Sequence, residues 1–216
     1  FYPVVGWKIG DEVTYLAEGS AYDAGTVVFW GQKIGLYDDV SQTSDLAKSV
    51  LDSDGVYFVP AFSELQAPVN DSLAGYSFIG LTNRSTRAHM ARALLESLAF
   101  RIKQMYEAIL EGANFQLNYL RIDGGVSNND FLVQLVADLT EHPVNRPKQR
   151  DMSCLGAAFL AGLAVGVWNS LEELEHLRYE DRVFSPCENW KNEYKEVILN
   201  WERAVHRCLS WYKEKM

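Results

Sequence analysis

Asp123-Gly124-Gly125, followed by Asn128-Asn129, is the run whose residue types and spacing point most directly to ligand chemistry. Adjacent glycines carry no Cβ, so a ligand can come close to their backbone, and a turn that opens a helix leaves N–H groups unpaired. Asn128 and Asn129 add amides able to pair with a sugar hydroxyl or a base. Asp123 would stand at a strand end beside the glycines, a common place for ligand contacts in α/β sheets. The run suits a nucleotide-binding turn. It also suits a plain strand–helix corner whose glycines only satisfy geometry, because glycine pairs are common in turns.

The elements that must position this turn follow from hydrophobic periodicity. Leu117, Tyr119 or Leu120, and Ile122 lead in as a buried strand, and Phe131, Leu132, Leu135, Val136 and Leu139 lead out on one side of an amphipathic helix. Upstream, Val4–Ile9 and Val13–Ala17 flank Gly10-Asp11-Glu12 as a hairpin. A helical pattern from Ala21 to Ile34 follows, with Gly25 inside it. Glycine in a helix costs about 0.5–1 kcal/mol relative to alanine. Either a closely packed backbone or a ligand approaching that face must justify it.

Ser41–Leu51 predicts a short helix, and Val56–Pro60 and Tyr76–Leu81 predict strands. They are joined by the polar connection Ser63–Gly75, of a length often tied to function. Thr86–Glu111 is a long helix with a stripe of Ala91, Leu95, Leu98, Ile102, Met105 and Ile109, beside which Glu96 reads as a solvated or salt-bridged carboxylate. Beyond the central run, the pattern predicts a short strand at Pro143–Asn145 and an apolar helix capped by Ser153, ending at Trp168 and pressed against a sheet. A capping box at Ser170–Glu173 and an aromatic-rich helix from Trp190 to Tyr212 close the chain. The order of elements predicts an α/β fold with a mixed central sheet flanked by helices.

Bulk properties narrow the chemistry. The 216 residues carry Lys+Arg 20 against Asp+Glu 29, a formal charge of −9, which argues against a nucleic-acid partner. A magnesium-bound polyphosphate remains compatible, because backbone amides and the metal can carry that charge locally. Cys154, Cys187 and Cys208 form no CxxC pair, and the four histidines are scattered, so no metal-ligand spacing appears. Walker A, GxGxxG and GxSxG motifs are absent. The uncharged run Cys154–Trp168, with Gly162 and Gly166 as GxxxG, is too short for the ~18–20 residues a bilayer needs. The start at FYPVVGW, without Met and inside an apolar run, reads as a piece of a longer protein.

The strings VYFVPAF at 56–62, AP at 67–68, GLT at 80–82, RIDGGVSNNDFL at 121–132 and SCLGAAFLAGLAVGVW at 153–168 resemble, in order and spacing, the C-terminal domain of glycerol kinases. These are FGGY-type carbohydrate kinases of the actin/hexokinase/Hsp70 ATPase superfamily. The resemblance spans essentially residues 1–216 and implies a ribonuclease-H-like domain, the ATP side of a two-domain cytoplasmic enzyme that phosphorylates glycerol or another polyol using ATP and Mg2+. It implies that Gly25, Gly125 and Asn129 contact the nucleotide, that Gly124 and Asp123 shape the turn, and that the catalytic base and acceptor site lie in a preceding domain absent here. No residue of this chain would then be catalytic or hold a metal. The reading includes ADP as a ligand, a small polyol as acceptor, no membrane span and room for a homo-oligomer. Two departures stand out. Phe29, still able to stack on a base, replaces the Gln of resembling glycerol kinases, and Val69-Asn70-Asp71-Ser72 replaces Tyr-Trp-Asp-Pro, with Tyr76 in place of Gly. They motivate an alternative, a kinase-like scaffold that binds nucleotide without turnover.

Overall fold

A computed structural model describes residues 2–21, 23–112 and 117–214. The chain opens with β1 (Tyr2–Ile9) and β2 (Glu12–Glu18), an antiparallel hairpin bulged between Val5 and Trp7. Then come α1 (Ala24–Lys33), a 3-10 turn at Val40–Gln42, and α2 (Thr43–Lys48). Strands β3 (Tyr57–Val59) and β4 (Ser77–Ile79) pair antiparallel, and α3 (Arg87–Gly112) follows. Next are β5 (Leu120–Arg121), a 3-10 turn at Gly125–Asn128, α4 (Asp130–Thr140) and β6 (Val144–Pro147). The last elements are α5 (Met152–Ala164), α6 (Leu171–Glu175), β7 (Glu180–Phe184) and α7 (Trp190–Cys208).

The core forms around α3, which buries every residue from Ala91 to Arg101 and packs on α1, α2, α4 and β3. Its one acid–base pair in that span is internal. Arg92 Nε donates to Glu96 Oε1 at 2.8 Å, and Tyr194 Oη of α7 bonds both residues. Arg92 also donates to the Ala47 and Val50 carbonyls at the end of α2. Of the two expected states Glu96 is the salt-bridged one, and it is the hub of a buried network joining three helices rather than a solvated carboxylate. On the far side of β3, Trp201 Nε1 donates to the Phe58 carbonyl at 2.8 Å, and Trp30, Phe58, Phe62 and Phe78 stack into an aromatic cluster.

The fold is α/β with a mixed sheet and flanking helices, as expected, and its strands are shared among small sheets. Among the described residues a mixed three-stranded sheet, β5-β6-β7, accompanies two separate two-stranded ones. Strand β7 was not foreseen because Glu180-Asp181-Arg182 looks like solvated charge. Its side chains instead serve the ion pairs described below.

Helix α5 departs most from expectation. Asp151, not Ser153, caps it by accepting the Cys154 N–H at 3.1 Å, and it ends at Ala164 rather than Trp168. Gly166 takes φ +77°, and the Val167 N–H reaches back to the Gly162 carbonyl, a Schellman ending. Gly162 is needed because a Cβ there would lie 2.2 Å from the Trp168 ring. Both glycines of the GxxxG thus serve one helix end. Gly162 is the only buried residue of α5, so this apolar helix is not pressed against a sheet.

Two smaller expectations also change. Ser170 starts α6 without a side-chain cap; Glu173 bonds Asn169 instead. Helix α7 stops at Cys208, where the chain turns back onto the 63–75 connection: Gly75 N–H donates to the Cys208 carbonyl and Ser210 N–H to Asp71. That connection is a buttress, stitched by Leu65–Asp71 pairing and by Arg101 donating to the Gln66 and Ala67 carbonyls.

Candidate functional site

A cleft of about 520 Å3 opens where α1, the segment Val40–Ser44 and the turn Gly125–Asn128 meet. Gly25, Val28 and Phe29 line it from α1, and Val40, Ser41, Thr43 and Ser44 from the short helical segment. Gly125, Val126, Asn128 and Asn129 line it from the central run. The volume falls in the 300–1,000 Å3 range of ordinary ligand sites, and the walls mix apolar groups with a few hydroxyls and amides. Among the described residues no ionisable side chain lines it.

Local rules explain each wall. Gly124 has φ 79° and ψ 172°, a combination essentially confined to glycine, so it is a conformational requirement of the turn. Its carbonyl accepts both the N–H and the hydroxyl of buried Ser127, at 3.1 and 2.7 Å, closing the 3-10 turn. Gly125 is different. Its φ is not positive, and a Cβ built on it meets nothing within 4 Å. Neither backbone conformation nor packing demands a glycine there. The same holds for Gly25 in the first turn of α1, where no described atom packs against the place of a Cβ.

Asn129 caps α4, its Oδ1 accepting the Leu132 N–H at 2.9 Å, while its Nδ2 donates to Thr43 Oγ1 at 2.9 Å. Ser44 Oγ accepts the Phe131 N–H at 3.2 Å. The amide is thereby oriented by two elements before any ligand arrives, with a second Nδ2 hydrogen remaining. Asp39 caps the preceding 3-10 turn in a reciprocal box with Gln42, and hydrogen bonds from Ser41 hold its carboxyl below the usual range. Phe29 presents its ring at the opening, 64% exposed. Asp123 lies outside the cleft and lines a separate cavity of about 210 Å3, with Asp23, Glu64 and Arg101 beside the apolar Leu98, Ile102 and Met105.

The structure thus brings Gly25, Phe29, Gly125 and Asn129 to one cleft, with Gly124 shaping its edge. Sequence reading missed the third wall, Val40–Ser44. The signal was there: Asp39-x-x-Gln42 is a capping-box spacing, and reading it would have started the element one residue earlier, at Val40. Among the described residues no group of three or more His, Cys, Asp or Glu could hold a metal ion, and no helix is long and apolar enough to cross a membrane.

Comparison with known proteins bears on this geometry. Residues 3–165 match the profile of the FGGY family of carbohydrate kinases, C-terminal domain. Glycerol kinase 5 of Mus musculus is 49% identical over 214 residues, 99% of this chain and 40% of the relative. Glycerol kinase of Borreliella burgdorferi (strain ZS7) is 43% identical over 209 residues, 96% of this chain and 42% of that protein. Among solved structures, Plasmodium falciparum glycerol kinase with ADP superposes with a TM-score of 0.82 at 36% identity, covering 96% of this chain and 42% of that one. Xylulose kinase from Lactobacillus acidophilus superposes at 0.69 with 26% identity, covering 85% and 38%. The chain therefore spans about two-fifths of the length of the relatives it matches. On the match over residues 3–165, it belongs to the FGGY family of carbohydrate kinases and corresponds to that family's C-terminal domain.

Proposed function

We propose that the cleft between α1, Val40–Ser44 and Gly125–Asn129 receives the adenosine end of ATP or ADP. The chain would then be the nucleotide side of a kinase that phosphorylates glycerol or a related polyol. The observation that carries this is the pair Gly25 and Gly125, two glycines with no conformational or packing need, on two walls of one cleft. The relatives named glycerol kinase, and the structural neighbour solved with ADP, support the same reading.

Catalysis in such an enzyme is positioning and charge stabilisation of the transferred phosphoryl group. Here the turn and Asn129 would fix the nucleoside. Magnesium would arrive on the polyphosphate, while the acceptor site and the base that takes its proton would come from a further domain in the longer protein. The uncovered α5 and the hairpin β1–β2, which packs extensively on no other described element, support the presence of such a domain. Phe29 favours a second reading, nucleotide binding without turnover, because a ring at that position supplies stacking but no hydrogen bond.

A coupled ADP-release assay of the full-length protein across polyols and sugars separates the two. Turnover with glycerol supports the kinase, and ADP affinity without turnover on any acceptor supports the scaffold. Gly125→Val should abolish ADP binding in calorimetry, because the branched side chain would occupy ligand space; unchanged affinity would sink the site assignment. Residues 1–216 alone should bind nucleotide weakly and phosphorylate nothing.

A further inference from the structure

The turn Gly125–Asn128 is not held by its own hydrogen bonds alone. Arg150, on the loop before α5, grips it at two points: its carbonyl accepts the Gly124 N–H at 2.9 Å, and its Nε donates to Asn128 Oδ1 at 2.9 Å. Arg146 on β6 grips it at one more, donating from Nη1 to the Ser127 carbonyl at 2.9 Å, and holds the start of α4 by donating to Asp130 at 2.7 Å. Both guanidinium groups then converge on one carboxylate of β7, Asp181, at 2.9 Å each. Arg182 completes the set by pairing with Asp130 at 2.8 Å. Phe184 lies under the Arg146 and Arg182 guanidinium planes, 5.0 and 4.4 Å from its centroid.

We infer that Arg150 and Asp181 are positioning residues, forming a bracket that sets the height of the glycine turn against the cleft. Neither lines the cleft itself. The inference rests on the nucleotide reading above and adds to it the residues that act through the turn. Three guanidinium groups meet two carboxylates in the bracket. Arginine suits the task because its rigid planar fork reaches Asn128 from Nε and Asp181 from Nη2 in one fixed geometry, whereas a lysine ammonium is a compact point charge on a flexible stem.

The test uses the full-length protein with Arg150→Gln, Asp181→Asn and Arg150→Lys, measuring ADP affinity by calorimetry, KM for ATP, kcat and melting temperature. Losing a charge-assisted hydrogen bond should raise the ADP Kd and the ATP KM roughly ten-fold, with KM carrying most of the change. The double variant Arg150→Gln/Asp181→Asn should be little worse than either single one, since the two share one path. Arg150→Lys, which keeps the charge, should fall between and decides the matter if the others fold poorly. A several-fold weaker ADP with an unchanged melting temperature supports the bracket. ADP affinity within two-fold of wild type in Arg150→Lys and Asp181→Asn, while Gly125→Val loses it, overturns the bracket and leaves the nucleotide site standing. Normal ADP binding by Gly125→Val overturns both.

Discussion

Asn129 Nδ2 donates to Thr43 Oγ1 at 2.9 Å, joining residues 86 positions apart so that the cap of α4 and the first residue of α2 close one end of the cleft together. Thr43 is almost fully buried and passes its own proton to the Val40 carbonyl at 2.6 Å. One hydroxyl therefore organises the wall that sequence reading overlooked. Thr43→Val keeps the shape and removes both bonds. We expect a loss of about 1–2 kcal/mol in stability by denaturant unfolding and roughly three- to ten-fold weaker ADP by calorimetry. Unchanged ADP affinity would detach the pair from the site.

Gly25 and Gly31 sit in the same helix and should respond in opposite directions. At Gly25 an added Cβ meets nothing, so Gly25→Ala should gain about 0.5–1 kcal/mol while weakening nucleotide binding. At Gly31 a Cβ would lie 2.3 Å from Tyr37 Oη and 2.8 Å from its Cζ, so Gly31→Ala should cost about 1–3 kcal/mol. Thermal melts with and without ADP read both signs. A destabilised Gly25→Ala would show that packing had required the glycine after all.

Tyr37 gives a pH dependence of definite sign. Burial pushes its phenol up to about 12, while its hydroxyl donates to the Val28 carbonyl beneath the α1 wall. Because the folded value lies above the unfolded value near 10, its contribution is complete below about pH 10 and is lost as pH rises toward 12. Tyr37→Phe should flatten that segment of the stability curve. Equal alkaline slopes for variant and wild type, followed by chemical unfolding with tyrosinate absorbance as a second probe, would contradict the account.

The Arg92–Glu96–Tyr194 network should be the most sensitive point of the core. Glu96→Ala leaves Arg92 buried without its carboxylate and should cost about 3–5 kcal/mol, whereas Tyr194→Phe, which removes one hydroxyl, should cost about 1 kcal/mol. Urea titrations of the two variants test the ranking. If Tyr194→Phe proves the costlier change, the carboxylate is not the hub.

Much of this architecture was legible in the sequence because it is governed by local rules. The stripe of α3, the hairpin around Gly10 and the turn at Gly124-Gly125 follow from spacing and from glycine's backbone freedom, and all three are present. What escaped reading depends on distant partners. Strand β7 opens with three charged residues, among which Asp181 meets Arg146 and Arg150, and the residue that orients Asn129 comes from α2. Composition misled at α5. An uncharged run of Ala, Leu and Gly predicts a packed helix, yet the described residues offer it no sheet. At the cleft, sequence supplied the glycines; only coordinates could remove the packing reason for Gly25 and Gly125.

Trp168 folds over Gly162 with its ring edge-on to Phe159, centroids 5.4 Å apart, on the helix that otherwise stands uncovered. That arrangement turns the helix end into an optical gauge. An indole half-open to water emits at long wavelength and is readily quenched by iodide, and any body that settles on α5 must shift its emission to the blue and shield it. With the change assigned by its loss in Trp168→Phe, Trp168 would report the assembly of this domain with whatever lies against α5, independently of turnover.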